Sequence, residues 1–578
     1  MMKKYFILII SVVFAFAKND NQDFRFVIVG DRTGNCIPGV FDEIIDEISA
    51  LHPDFVINVG NLIHGYTEDT TAIHAQWDTV LNIMERLPCK FYFVPGNHDI
   101  QNEKTREIYE KRTGSKTYYF FDYKNSHFII LDNSITQWSM AQTMDEQQKE
   151  WLTQDIEEHK DADNIFVFFH TPAYLNAYAT NIPDPLLDMF NNYRVRAIFC
   201  GHLNFYMRNL NENTELIVVG SSGAGMYDND PAKGNFYHFL FVTVQGKDYD
   251  IAVIKKGNIF LRNVFTGSDY HALERAQQEA VTFSNCIVKD ESKKTSCKCT
   301  MTINNTGIDS IIHPLMWNFD SSHYKIAPRQ IPLDIGPEEE KKYKINFTIS
   351  NGSDIFPQPQ FALVYPFTFG KVCTLRSTLG VKRLKNIRKI KSAPVIDGRL
   401  DDKVWQKIKP ISNLGSHDGQ LSPAEKTEIY LCHDKNNFYI GARCFESDFS
   451  RLVAEALEHD GQTYTDDNIW FFFDSNFDKE TYYQTIINSK GVVFDRLCSV
   501  KNNTRDITWN GPWQIKSGRE DNAWILEIMI PKAGLEPFNE KKWGFNLRRL
   551  QTRIRNAEAC WSLPFGHYPD NFGIIEFD

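Results

Sequence analysis

The residues best suited to chemistry recur in short polar turns, each closing an apolar run. Phe26-Val27-Ile28-Val29 runs into Gly30-Asp31-Arg32-Thr33-Gly34, and Phe55-Val56-Ile57-Asn58-Val59 runs into Gly60-Asn61-Leu62-Ile63-His64. Lys90-Phe91-Tyr92-Phe93 leads to Val94-Pro95-Gly96-Asn97-His98-Asp99. Phe166-Val167-Phe168-Phe169 leads to His170-Thr171-Pro172, and Arg196-Ala197-Ile198-Phe199-Cys200 leads to Gly201-His202-Leu203-Asn204. Such apolar runs read as buried strands. A Gly-Asn-His-Asp turn at a strand end sets an amide oxygen, an imidazole and a carboxylate at the mouth of a sheet, where open α/β folds place their sites. A single turn of this kind is ordinarily a cap or a packed histidine. Five in order point to one shared site.

The elements that must carry these turns can be read around them. Val40 to Leu51 is amphipathic, with Phe41, Ile44, Ile45 and Ile48 on one face. Gln147 to His159 follows the acidic start Asp145-Glu146 as a second helix, and Tyr118 to Asn133 reads as a hairpin. Strands alternating with helices over 24–274 predict an α/β sandwich. From 275 to 375 the helical period is gone. Short alternating runs such as Cys299–Ile303, Tyr343–Thr348 and Phe361–Tyr365 predict an immunoglobulin-like β-sandwich acting as a spacer. Lys382, Arg383, Lys385, Arg388, Lys389 and Lys391 make 376–391 a basic, solvated linker. A third unit occupies 392–578.

The chain has 578 residues, 42% of them hydrophobic and 24% charged, enough for several full cores. Its net charge of -11 gives no electrostatic case for nucleic acid, so a phosphate ester would have to be drawn by a local charge. Met1-Met2-Lys3-Lys4, the uncharged stretch Tyr5 to Ala17 and the exit Ala15-Phe16-Ala17 read as a cleaved signal peptide, 1–17, of bacterial type. The expected location is secreted or periplasmic, with no membrane span after cleavage. The 11 cysteines include Cys286, Cys297 and Cys299 in one segment, where an oxidising compartment would permit one disulfide.

The five turns over 24–274 resemble the calcineurin-like metallophosphoesterase family, in a Gly-Asp-Arg-Thr-Gly subfamily form. The resemblance implies hydrolysis of a phosphomonoester or phosphodiester with two divalent ions (Zn, Mn or Fe). One ion would be held by Asp31, the bridging position Asn61 and Asn204. The other would be held by Asn61, Asn97, His170 and His202. His98 would stabilise the developing charge or protonate the leaving group, with Asp99 orienting it. Arg32 could clamp the phosphate bidentately. Two departures bear on activity. Asn61 stands where the family has Asp, and Asn204 stands where the last motif has its second His. A neutral amide bridges two dications poorly, so the expectation is one ion and weak turnover. His64 is the residue that could compensate.

The third unit opens Ala393-Pro394-Val395-Ile396-Asp397-Gly398 and continues through Asp466-Asp467-Asn468-Ile469-Trp470-Phe471-Phe472-Phe473-Asp474, Trp524-Ile525-Leu526-Glu527 and Trp543-Gly544-Phe545. This series resembles family 9 carbohydrate-binding modules, which implies a β-sandwich that often bears calcium and holds a sugar between aromatic rings. Trp470, Trp509, Trp513 and Trp561 are the stacking candidates. Asp397, Asp466, Asp467 and Asp474 are the calcium candidates. The combined reading is a phosphoesterase acting on a phosphate ester tied to the breakdown of a polysaccharide or other glycan. The alternative is a non-catalytic glycan-binding protein whose phosphoesterase site has decayed.

Overall fold

The structure is a computed structural model describing residues 22–578 apart from 136–143, 176–184, 227, 285, 290–294, 351–354, 369, 503 and 553–556. The expected signal segment lies outside the described residues. Among those residues, no helix is long and apolar enough to cross a membrane. The chain divides into two units, Met1–Glu274 and Arg275–Asp578.

The first unit pairs two six-stranded sheets. One runs in the order Asn258–Leu261, Asp248–Lys255, Phe239–Gln245, Phe24–Val29, Phe55–Asn58, Lys90–Tyr92. The other runs Tyr119–Tyr123, Ser126–Ile130, Asn164–Phe168, Val195–Cys200, Thr214–Val218, Met207–Asn211. Rings join the sheets: Phe26 and Phe55 meet Phe128 edge-on at 5.4 and 5.3 Å. The strands' outer faces are covered too. Val27, Val29 and Val56 pack under the helices Val40–Leu51 and Thr70–Met84, which bury Phe41, Ile45, Ile48, Trp77 and Val80. Glu146–Glu158 packs Leu152 and Ile156 on Ile165, Val167 and Ile198 of the second sheet. Cover on both faces explains why these strands are unbroken apolar runs. Three strands of the first sheet run parallel, Phe26 opposite Phe55 and Ile57 opposite Tyr92. In the second sheet Phe168 lies opposite Phe199, also in parallel. The polar turns therefore leave the sheets at their carboxyl ends.

The second unit begins with two four-stranded antiparallel sheets. Val281–Ser284, Thr295–Asn304, Glu340–Ile349 and Tyr324–Ala327 form one. Gln330–Ile331, Leu315–Asn318, Gln360–Thr368 and Lys371–Thr378 form the other. Phe283 of the first packs on Trp317 and Phe361 of the second at 6.3 and 6.2 Å, which makes a β-sandwich. Cys286, Cys297 and Cys299 stand as thiols, with the Cys286 and Cys299 side chains in hydrogen-bond contact.

The remaining strands close a second sandwich whose core includes Ile429, Phe438, Ile440, Phe471, Phe473, Trp543 and Phe545. Here the structure corrects one expectation. Lys382–Lys389, read as linker, is a strand of this sandwich. Leu384 pairs with Ile574 and Ile387 with Phe577 on one side, and Arg388 pairs with Cys432 on the other. Leu384 and Ile387 are buried, and so are Arg383 and Lys385. Their charges are tolerated because Arg383 donates to Asn413 O and Lys385 Nζ to Lys409 O at 3.1 Å. A count of basic residues conceals that pairing.

Candidate metal centre and carbohydrate face

The turns that follow the parallel strands of the first unit converge. Two glycines allow the close approach. A Cβ on Gly60 (φ 97°) would lie 2.5 Å from His170 Nδ1, and one on Gly201 would lie 2.4 Å from Asp31 Oδ1. Asn61, His202 and Asn204 all hold left-handed backbone, φ 61°, 72° and 56°. Strain of this kind, about 1–3 kcal/mol per residue, gathers at functional sites.

His170, His202 and Asn97 form the tightest cluster. His170 Nδ1 lies 2.7 Å from Val59 O, so that nitrogen carries the proton. Burial pushes the His170 imidazole well below its ordinary pKa, which leaves Nε2 as a lone pair. Nε2 faces Asn97 Oδ1 at 2.7 Å and His202 Nδ1 at 3.3 Å, and His202 Nδ1 lies 3.1 Å from Asn97 Oδ1. Burial lowers the His202 pKa as well. An imidazole lone pair and an amide oxygen converge here beside a second imidazole, a donor set that fits a divalent transition metal. Asn97 is turned to present its oxygen because its Nδ2 donates to Tyr66 Oη at 2.7 Å. Tyr66 was not anticipated. It is an exposed residue five places past Asn61, and its ring stands edge-on to His98 at 4.6 Å.

The bridging corner is built differently. Asn61 Oδ1 accepts from the His98 backbone N–H at 2.9 Å. Its Nδ2 therefore points inward, donating to Asp31 Oδ2 at 2.8 Å and toward Asn97 Oδ1 at 3.4 Å. The amide presents hydrogens where the family pattern presents a carboxylate oxygen. Burial pushes the Asp31 carboxyl up to about 8, so without a cation it is largely protonated at neutral pH. Thr33 Oγ1 and Asn204 Oδ1, on the neighbouring turns, are buried without a hydrogen-bond partner.

Asp99 does not orient His98. Its carboxylate accepts four backbone N–H groups, from Asn61 (2.7 Å), Leu62 (2.9 Å), Gly96 (3.0 Å) and Ile63 (3.1 Å), and so clamps one turn to the other. The orienting partner of His98 is the His64 carbonyl, 2.7 Å from His98 Nδ1. Burial lowers the His98 pKa. The exposed His64 ring sits 5.8 Å from the His98 ring and contributes its backbone oxygen rather than its imidazole. Arg32 donates through Nη1 to Leu62 O at 2.8 Å and lies over Phe41.

In the second unit the carboxylates expected to hold calcium act as acceptors for the backbone. Asp466 binds the N–H groups of Glu455 and Ala456, Asp467 those of Val453 and Thr552, Asp474 those of Asp478 and Lys479, and Asp397 that of Arg399. Trp561 is fully buried against Phe545 and Gly573 and offers no face to a ligand. Trp513 donates its indole N–H to Asp495, and Trp509 packs on Tyr483 at 4.6 Å, both half-buried against the core. Trp470 is the candidate on a different face. It lies under Arg548 at 4.2 Å and beside Phe565 at 6.3 Å. Strand register extends that face. Trp470 pairs with Arg548, Phe472 with Gln484, and Gln484 with Arg496. Gln484, Arg496, Phe565 and His567 were not anticipated, because only pairing across four strands aligns them.

Residues 24–204 match the family model for calcineurin-like phosphoesterase, and 396–575 match that for carbohydrate family 9 binding domain-like proteins. The serine/threonine-protein phosphatase CPPED1 of Rattus norvegicus is 24% identical over 218 residues, 33% of this chain and 70% of that protein. The endo-1,4-beta-xylanase A of Thermoanaerobacterium saccharolyticum is 29% identical over 185 residues, 31% of this chain and 14% of the xylanase. Among solved structures, a dimetal phosphatase from Danio rerio aligns with 41% of this chain and 98% of its own at 13% identity and TM-score 0.31. A family 9 module from Caldicellulosiruptor kristjanssonii in complex with glucose aligns with 34% and 96% at 18% identity and TM-score 0.26.

Proposed function

Since this chain carries a calcineurin-like phosphoesterase domain at 24–204 and a family 9 carbohydrate-binding domain at 396–575, we propose that it is a single-metal phosphoesterase whose substrate is attached to, or released from, a glycan. The observation that supports this most is the meeting of His170 Nε2, His202 Nδ1 and Asn97 Oδ1 within 2.7–3.3 Å. A divalent ion, if held by these three groups, would supply Lewis-acid polarisation of a phosphoryl oxygen. The chain's own residues supply the rest. The His64 carbonyl holds the His98 Nδ1 proton, which leaves His98 Nε2 to exchange a proton with the ester oxygen. Asn61 Nδ2 donates to Asp31 Oδ2 and toward the same pocket. The glycan docks on the face that carries half-buried Trp470, Phe565 and Arg548, where a sugar ring can stack and its hydroxyls can find donors. The signal segment at 1–17 would direct the protein out of the cytoplasm.

The inward-facing Asn61 amide favours a second reading, a glycan-binding protein that no longer turns over. Elemental analysis of the purified chain, run beside hydrolysis of aryl phosphomonoesters and diesters, separates the two. The proposal expects about one divalent ion per chain and slow hydrolysis lost on His170→Ala. A metal-loaded chain without hydrolysis would leave the binding reading.

A further inference from the structure

Resting on the reading of the Trp470 face as the sugar surface, we infer that this module prefers a sugar carrying an oxyanion, such as a uronate or a sulfate ester, gripped by Arg496 and Arg505. Strand pairing sets the geometry. Arg496 lies opposite Gln484, Tyr482 opposite Cys498, and Cys498 opposite Arg505. Side chains two apart on a strand share a face, as do paired residues across strands, so both arginines stand on the face of Phe472 and Trp470.

Arg496 is half-buried and rigidly held. Its Nε donates to Gln484 Oε1, and its Nη2 lies 3.2 Å from His567 Nε2. A guanidinium can only donate, so His567 Nε2 is a lone pair and the ring is neutral. Its Nδ1 then faces Tyr482 Oη at 2.6 Å. None of these partners carries negative charge, and Arg496 forms no ion pair among the described residues. Arg505 lies near enough to repel it, and both arginines repel a proton on His567. Two carboxylates of this unit are engaged with other cations, Glu558 with Arg548 at 3.2 Å and Asp570 with Lys479 at 2.8 Å. Among the described residues neither guanidinium has a counter-charge; Arg496, half-buried and held by Gln484 and His567, and exposed Arg505 share the sheet face that carries half-buried Trp470, an arrangement that matches an anionic group on a docked sugar. The preference is local, since the chain as a whole carries a net charge of -11.

Calorimetric titration of the full-length chain with glucose, glucuronic acid and glucose 6-sulfate tests this. At least one acidic sugar should bind ten-fold or more tighter than glucose at 50 mM salt, and the advantage should shrink at 300 mM. Arg496→Gln should reduce the preference to three-fold or less. Arg505→Gln, at an exposed position, should move the preference in the same direction if the first variant folds poorly. Tightening by glucuronic acid alone assigns a carboxylate, and by glucose 6-sulfate alone an ester. Equal binding of all three sugars overturns the inference and leaves the carbohydrate reading intact. No binding of any of them overturns both.

Discussion

At the residue scale, the way the Asn61 amide faces bears on how many ions the converging turns of the first unit would hold. Asp31 is the single carboxylate at the metal corner, and Asn61 turns its nitrogen toward it. The chain should therefore bind about one divalent ion. Asn61→Asp together with Asn204→His should add a second and raise phosphoester turnover at least ten-fold, which is about 1.4 kcal/mol of barrier. Metal stoichiometry and kcat on the same preparations check this, and an unchanged ion count would refute it. Tyr66 supplies a subtler test. Tyr66→Phe removes the acceptor that turns the Asn97 oxygen inward, so metal affinity should fall about two- to ten-fold, in line with one hydrogen bond of ~0.5–1.5 kcal/mol. The ligand types and their order were legible in the sequence, because each turn follows an apolar run. The direction in which Asn61 faces was not, since it depends on a backbone N–H from His98, 37 residues away.

At the scale of elements, the hairpin Tyr119–Tyr123 and Ser126–Ile130 is tied to the helix Glu146–Glu158 by a buried histidine. His127 Nδ1 meets Asp122 Oδ1 at 2.7 Å and Nε2 meets Asp155 Oδ2 at 2.9 Å, with His159 stacked on the ring at 3.9 Å. Burial opposes the charge, but the hydrogen bonds to Asp155 and Asp122 outweigh it and hold the pKa above the ordinary value. An unfolded chain has an ordinary imidazole near 6.5. The ion triad therefore contributes fully below about pH 6.5, and that contribution is lost as pH rises through the raised folded value. Thermal stability of the first unit should fall over that window, and His127→Gln should flatten the fall; an unaltered pH profile would show that the imidazole is neutral in the fold. A second element-scale test concerns the turn after Val195–Cys200. Gly201→Ala places a methyl against the Asp31 carboxylate and should cost about 1–3 kcal/mol of overpacking, readable in urea unfolding. The alternation of strands and helices could be read directly from the sequence. The His127 triad could not, because its three members come from three elements and each residue alone looks like a surface charge.

At the scale of the whole molecule, the unit boundary after Glu274 falls where the helical period stops. The other boundary needed the structure, because Lys382–Lys389 hides two buried apolar residues among its charges. A fragment spanning 380–578 should melt at least about 5 °C above one spanning 392–578. Burial of Leu384 and Ile387 is worth roughly 1.5–3 kcal/mol each, and each kcal/mol moves the midpoint of a domain this size by about 2–4 °C. Equal midpoints would return the segment to the role of a tether. That strand also bears on the order of events during synthesis. Its partners are Gly573–Phe577 on one side and Thr427–His433 on the other, so the module's opening strand is flanked by one made some 190 residues later. On the ribosome the sandwich has an unzipped seam until Phe577 emerges. Until then the edge of Lys382–Lys389 that Gly573–Phe577 will cover stays open to chaperones and to neighbouring chains, and a nascent chain paused inside the module would be the form most exposed to aggregation.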